Sequence, residues 1–175
     1  MADRNEAALG AAIKALEQAV QPAVDRGDPL AGEQLRLVVG YLRLMSSRLV
    51  HLEERARFEF EHYRELALAL HDAALSQGGE VADRFDLALA QARESMRPGD
   101  VRAATAALAG AVSGLARAAV HATPEQRRTI EHAIAKRSRR WIDAQRAWFA
   151  PLGFELRPDQ IPSLADALDI SRVRA

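Results

Sequence analysis

Apolar residues recur through residues 35–73 at alternating steps of three and four: Leu35, Val38, Leu42, Met45, Leu49, Leu52, Ala56, Tyr63, Leu66, Leu70 and Ala73. Glu59 is the one carboxylate in the row. One apolar residue every 3.5 positions or so keeps a single seam of a helix turned toward a partner, as in coiled coils and helical bundles. Gly27-Asp28-Pro29 supplies a turn, a capping Asp and a Pro at the first helical position, and Gly78-Gly79 supplies the stop. With no Gly or Pro over residues 41–77, the pattern predicts one helix over 29–77. Unbroken, it holds roughly 48 residues and spans about 70 Å. Two places could interrupt it: Ser46-Ser47, since Ser pairs kink helices, and the charged stretch Glu53-Glu54-Arg55-Ala56-Arg57.

Four further helices follow from the same reasoning. Asp3 with Glu6 caps a first helix carrying Leu9, Ile13, Leu16 and Val20, which Pro22 ends. Val81, Phe85, Ala88, Ala92 and Met96 form the stripe of the next, ended by Pro98-Gly99. Asp100 caps another, striped by Val101, Ala104, Leu108, Val112, Leu115 and Ala119. Thr123-Pro124-Glu125-Gln126 is a capping box, and the helix it opens carries Ile130, Ile134, Trp141, Ala144 and Trp148 until Pro151 and Gly153 close it. Past residue 150 a tail contains Pro158 and Pro162, with Ser163 opening one more turn of helix. No run reads as a strand. The expectation is an all-α, up-and-down bundle of about five helices over 1–150, organised on one long central helix, with 151–175 as a tail. The shorter helices, about 25 to 40 Å each, cannot cover a 70 Å rod. Either the rod breaks or a second chain covers it, and a homodimer is the reading this length favours.

Composition narrows the field. The 175 residues, 49% hydrophobic and 27% charged, suit one soluble domain. Formal net charge is zero, against a surface given over to nucleic acid or anionic lipid. With no cysteine, disulfides, thiolate zinc sites and cysteine nucleophiles are excluded together. The start shows no signal-peptide pattern and no window of about 20 residues reads as a membrane span. A cytoplasmic protein is expected. Lys14 and Lys136 are the only lysines among many arginines, and alanine abounds, in keeping with a GC-rich bacterial genome.

Glu59-x-x-His62 places two potential ligands on one helix face, the spacing used in di-iron bundles. Such a centre wants that motif twice and a Glu from each of two further helices. His51-x-x-Glu54 and His62-x-x-Glu65 add neighbours but no second motif. Glu59 and His62 are therefore the only metal candidates, and no metal or cofactor is expected. Glu59 on the seam and Arg137 on the stripe of the Trp-bearing helix, the charged exceptions in their rows, could pair and fix register. Trp141 and Trp148 read as core or interface aromatics. Lys136-Arg137-Ser138-Arg139-Arg140 could hold phosphate or nucleic acid. Residues 123–146, however, carry seven Lys/Arg against three Asp/Glu, and residues 53–86 four Arg against nine Asp/Glu. Helix-on-helix charge pairing is the expected use of both segments. Gly110-x-x-x-Gly114, in an Ala-rich stretch, reads as close packing inside a bundle, with room for a small-ligand cavity as the alternative use. Serines occur without a nucleophile elbow, and no phosphate-binding Gly loop is present.

Residues 16–49, with Val20-Gln21-Pro22 before Gly27-Asp28-Pro29 and a Leu/Val-rich helix after it, resemble small all-helical bacterial proteins without assigned activity. Some of those are thought to accompany aminoglycoside-phosphotransferase-like kinases and acyl-CoA dehydrogenases. The resemblance covers about a fifth of the chain and implies no catalytic residue. The expected function is a non-enzymatic interaction or accessory module whose partner is a second copy or another protein. A ligand-binding bundle and a metal-dependent bundle are the alternatives.

Overall fold

The computed structural model describes residues 2–94 and 98–170. The fold is all-α, and no strand occurs among the described residues. Six helices run as α1 (Ala2–Ala15), α2 (Pro29–Arg48), α3 (Leu52–Gln77), α4 (Gly79–Glu94), α5 (Pro98–Ala118) and α6 (Pro124–Phe149), and a short α7 (Leu164–Ala167) follows.

The boundaries follow from local chemistry. Asp28 accepts from Ala31 N–H at 2.9 Å with Pro29 next to it, so one orphan donor of α2 is satisfied by side chain. Thr123 and Gln126 form the expected box, each taking the other's backbone N–H, at 3.1 and 3.3 Å. Gly78 and Gly79 both hold left-handed backbone, with φ of 66° and 52°, which a Cβ would oppose. Ser163 accepts from Asp166 N–H at 3.1 Å and opens α7. Two starts differ from expectation. α1 is already helical at Ala2, placing Asp3 inside its first turn, and α5 begins at Pro98, so Asp100 also lies in a first turn and is not its cap. Met96 lies outside the described residues. Past α1 the chain widens into a π turn over Leu16–Val20 before Gln21–Ala23. Pro22 cannot donate, and its ring would strike the carbonyl four residues back. Opening the ladder, with Gln21 N–H reaching Leu16 O, relieves this.

The helix expected over 29–77 is interrupted. α2 stops at Arg48, a 3-10 turn occupies Leu49–His51, and α3 starts at Leu52. Ser47 Oγ donates to Leu44 O at 2.8 Å, and Leu49 N–H is shared between Met45 O and Ser46 O. The Ser pair thus draws the ladder from four-residue to three-residue bonding, which winds the next turn tighter.

The contacts divide the chain into two compact units. The first joins the described residues up to Leu52 with Gln145–Ile161, and the second joins Glu53–Ala144 with those from Pro162 on. The segment past 150 therefore contributes to both. In the first unit the buried residues are Val39, Leu44, Arg48, Ala147 and Trp148. In the second, α3 to α6 share a core of Leu66, Leu70, Phe85, Leu108, Leu115 and Ile130 with alanines between them. Burying Phe85 completely stabilises that unit by about 2–3 kcal/mol. The seam holds at Leu66 and Leu70 and shifts by one residue on either side of them. α3 buries Phe58, His62, Leu66, Leu70 and Ala74, a row at steps of four, while Ala56, Glu59, Tyr63 and Ala73 are half-buried.

α5 corrects two expectations. The segment Gly99–His121 is long and apolar enough, by length and composition, to cross a membrane. One face of it, with Ala104, Leu108, Ala111, Leu115 and Ala119, lies in the second unit's core. Gly110 and Gly114 do not mediate close helix approach either, because a Cβ at either position would meet nothing within 4 Å. Each therefore only adds backbone freedom to the unfolded chain. Gly110→Ala and Gly114→Ala should each raise stability by about 0.5–1 kcal/mol in urea titrations. A loss of stability would show that something packs on that face.

Candidate functional site

The charged and aromatic residues singled out in the sequence gather in the second unit along α3 and α6. Phe58, His62 and Trp141 stack nearly parallel: Phe58 to Trp141 at 6.1 Å and 15°, and His62 to Trp141 at 4.8 Å and 25°. Tyr63 meets His62 and Trp141 edge-on at 5.2 and 5.5 Å. Helical spacing builds the stack, since Phe58 and His62 lie one turn apart on α3. Arg140, one residue before Trp141, puts its guanidinium 5.0 Å from the Phe58 ring centre and pairs with Asp169.

His62 is 8% exposed. Burial holds its imidazole below the ordinary histidine range, Arg140 pushes the same way, Glu65 opposes, and Arg137 adds a smaller push downward. Burial and then Glu59 raise the Tyr63 phenol. A neutral imidazole stacked on rings and facing two guanidiniums is a poor place for a cation. Among the described residues no group of three or more His, Asp or Glu could hold a metal. Glu59 gives its carboxylate to Arg55 Nε at 2.8 Å, one turn back on the same helix. Among the described residues no ion pair joins Glu59 to Arg137 within the chain. Arg137 instead faces His62. His51 sits in the 3-10 turn, so its three-residue spacing to Glu54 is not helical.

The charges of residues 53–86 pair in part within that segment, whereas Arg140 and Arg146 of residues 123–146 pair beyond it, with Asp169 and Glu155. Arg55–Glu59, Arg64–Glu61 and Arg84–Glu80 pair within α3 or α4. Arg127 caps the end of the preceding helical stretch, donating to Ala119 O and Val120 O at 3.2 and 2.7 Å. In the basic run 136–140, Arg140, though exposed, lies over the Phe58 ring and Arg137 is half-buried, while Lys136 and Arg139 are exposed. One link across helices, His71 Nε2 to Asp86 Oδ1 at 2.7 Å, has no sequence signal beyond residue type.

The first unit holds a second charged surprise. Arg48 is buried, donating from Nε to Trp148 O at 3.0 Å and from Nη2 to Ala147 O at 3.2 Å, with its guanidinium 5.6 Å from the Trp148 ring centre. These carbonyls belong to the last turn of α6, whose acceptors have no intrahelical donor, so Arg48 caps that helix from the side.

The same unit also leaves much apolar surface open. Leu37, Val38 and Tyr41 on α2 stand 46%, 49% and 53% exposed, and Leu30 shares their face one further stretch toward the helix start. Beside them, Pro151, Leu152 and Phe154 complete an apolar groove of about 480 Å³. Phe154 and Leu156 are 74% and 95% exposed. Between them Glu155 takes a two-pronged grip from Arg146, at 2.9 and 3.0 Å. That hydrogen bonding holds the Glu155 carboxyl below the usual carboxylate range. The anchor fixes residues 154–156 as a strap that offers its two apolar side chains outward. No protein-family model, curated protein or solved structure matches the chain.

Proposed function

We propose that this protein is a non-enzymatic helical interaction module that works as a homodimer and accompanies other proteins in the bacterial cytoplasm. The observation that carries the reading is α2. Its apolar residues, Leu35, Leu37, Val38, Val39, Tyr41, Leu42, Leu44 and Met45, spread over roughly 220° of the helix, about twice the stripe that one core-facing side needs. The chain buries only Val39 and Leu44 among them. Apolar patches of this size, flanked by the groove, mark contact surfaces. The resemblance of residues 16–49 to small helical proteins thought to accompany enzymes accords with an accessory role. The two residues spaced as metal ligands are otherwise engaged, Glu59 by Arg55 and His62 by the rings of Phe58 and Trp141. Multi-angle light scattering on the full chain tests the reading. A mass of twice 19.2 kDa is expected. A strict monomer at about 50 μM, above the Kd range that interfaces of standard size give, overturns it.

A further inference from the structure

Resting on the homodimer reading, we infer that the strap at residues 154–156 of a second copy occupies the α2 groove, each chain giving its strap and receiving the other's. The groove and the strap lie side by side in one unit, so one two-fold axis can satisfy both at once, which is the condition for an isologous, closed dimer. Leu156 projects almost wholly into solvent. The Arg146–Glu155 grip pins the strap's backbone from behind. Phe154 forms part of the groove wall, and the partner's Leu156 is the apolar side chain left to enter it. Leu30, Leu37, Val38, Tyr41, Phe154 and Leu156 are each 46–95% exposed, large apolar side chains of the kind that make up the ~800 Å² each partner contributes to a standard interface. Charge is compatible: Arg36 is the one ionised group lining the groove, and the strap's Glu155 is already held by Arg146, so the strap carries no unpaired carboxylate into it.

The chain has no cysteine, so single cysteines report contacts without background. Leu156→Cys and Val38→Cys proteins are mixed under mild oxidation, and the disulfide-linked species is compared with each variant alone. The mixed pair should cross-link at least tenfold faster than Leu156→Cys alone or a mixture with Ile142→Cys, an exposed apolar site in the other unit. In parallel, Leu156→Asp and Val38→Asp should each turn the dimer into monomer with unchanged helicity, because Leu156 is almost wholly and Val38 about half in water and neither is a core residue. A wild-type dimer that survives both substitutions overturns the strap exchange and leaves the homodimer standing. A wild-type monomer overturns both. A dimer lost in Val38→Asp but kept in Leu156→Asp overturns the strap as occupant.

Discussion

Replacing Arg48 by alanine is expected to cost about 2–4 kcal/mol, more than any other single charged residue in the chain, and to act on the first unit. The guanidinium donates to two last-turn carbonyls of α6. Hydrogen bonds from a charged donor contribute about 1.5–3 kcal/mol each, and a buried acceptor left unpaired costs about 1–3 kcal/mol. Against this stands the cost of burying the charge itself, which lowers the Arg48 pKa through desolvation and which alanine removes. The guanidinium also lies over the Trp148 ring, so that cation–π contact is lost along with the hydrogen bonds. Arg48→Lys should recover only part of the loss, because a compact ammonium cannot reproduce the two-pronged geometry. The chain supplies its own reporter: Trp148 lies in the first unit and Trp141 in the second. In a Trp141→Phe background, denaturation followed by Trp fluorescence reads the first unit alone. An Arg48→Ala midpoint shift equivalent to less than about 0.5 kcal/mol, the range of ordinary surface substitutions, would sink the assignment of Arg48 as a cap.

The fold was legible wherever local chemistry decides. Asp28-Pro29, Gly78-Gly79, Thr123-x-x-Gln126 and Ser163 mark ends in the structure as in the sequence, because caps and left-handed turns depend on a few neighbouring residues. The stripes of α4, α5 and α6 are also the buried ones, at Phe85, Leu108, Leu115, Ile130 and Ala144. These helices have one apolar face each. The apolar arc of α2 is too wide for periodicity alone to choose its buried side. A 3.5-residue reading also drifts against an α-helix of 3.6 residues per turn: α3 keeps Leu66 and Leu70 buried but buries Phe58, His62 and Ala74 in place of Glu59, Tyr63 and Ala73. The 3-10 turn at 49–51 falls just after the Ser pair, the feature that marked a weak point. α2 holds 20 residues and α3 26, with the 3-10 turn between them, so the spine is not one uninterrupted α-helix. The uncovered arc of α2, not the length of the spine, is what calls for a second chain.

The residues of interest were legible one at a time and illegible as partners. Glu59 stood out as a carboxylate in an apolar row, yet its partner is Arg55, one turn away on its own helix and available to any sequence reader who tried four-residue spacing. His62 looked like a ligand because His and Glu are spaced for metal. Its neighbours are Phe58 at the same four-residue spacing and Trp141 far along the chain. A step-of-four reading through Phe58, His62, Leu66 and Leu70 identifies the histidine as a core position. Arg48 gave the weakest signal, one arginine among many, and its role depends on a helix end about a hundred residues away that no periodicity can see.

The stack around His62 should make the second unit sensitive to acid. Facing the imidazole from α3 are Phe58, Tyr63 and Glu65, and from α6 Trp141, Arg137 and Arg140, the last held by Asp169. Because the folded protein holds the His62 pKa below 6.5, the unfolded chain binds the proton first as pH falls. Stability from neutral His62 is therefore full above about pH 6.5 and is lost as pH drops through the lowered folded value. His62→Phe keeps a flat ring in the stack and removes the proton site. The difference in unfolding free energy between wild type and this variant should grow in the variant's favour from pH 7 to pH 5, a comparison that cancels carboxylates common to both. His62→Lys imposes the charge permanently and should cost about 3 kcal/mol at pH 7, since it leaves a buried cation facing two others. Trp141 fluorescence in a Trp148→Phe background follows the second unit. Parallel pH profiles for wild type and His62→Phe would show that the histidine titrates in the stack as freely as it does in water.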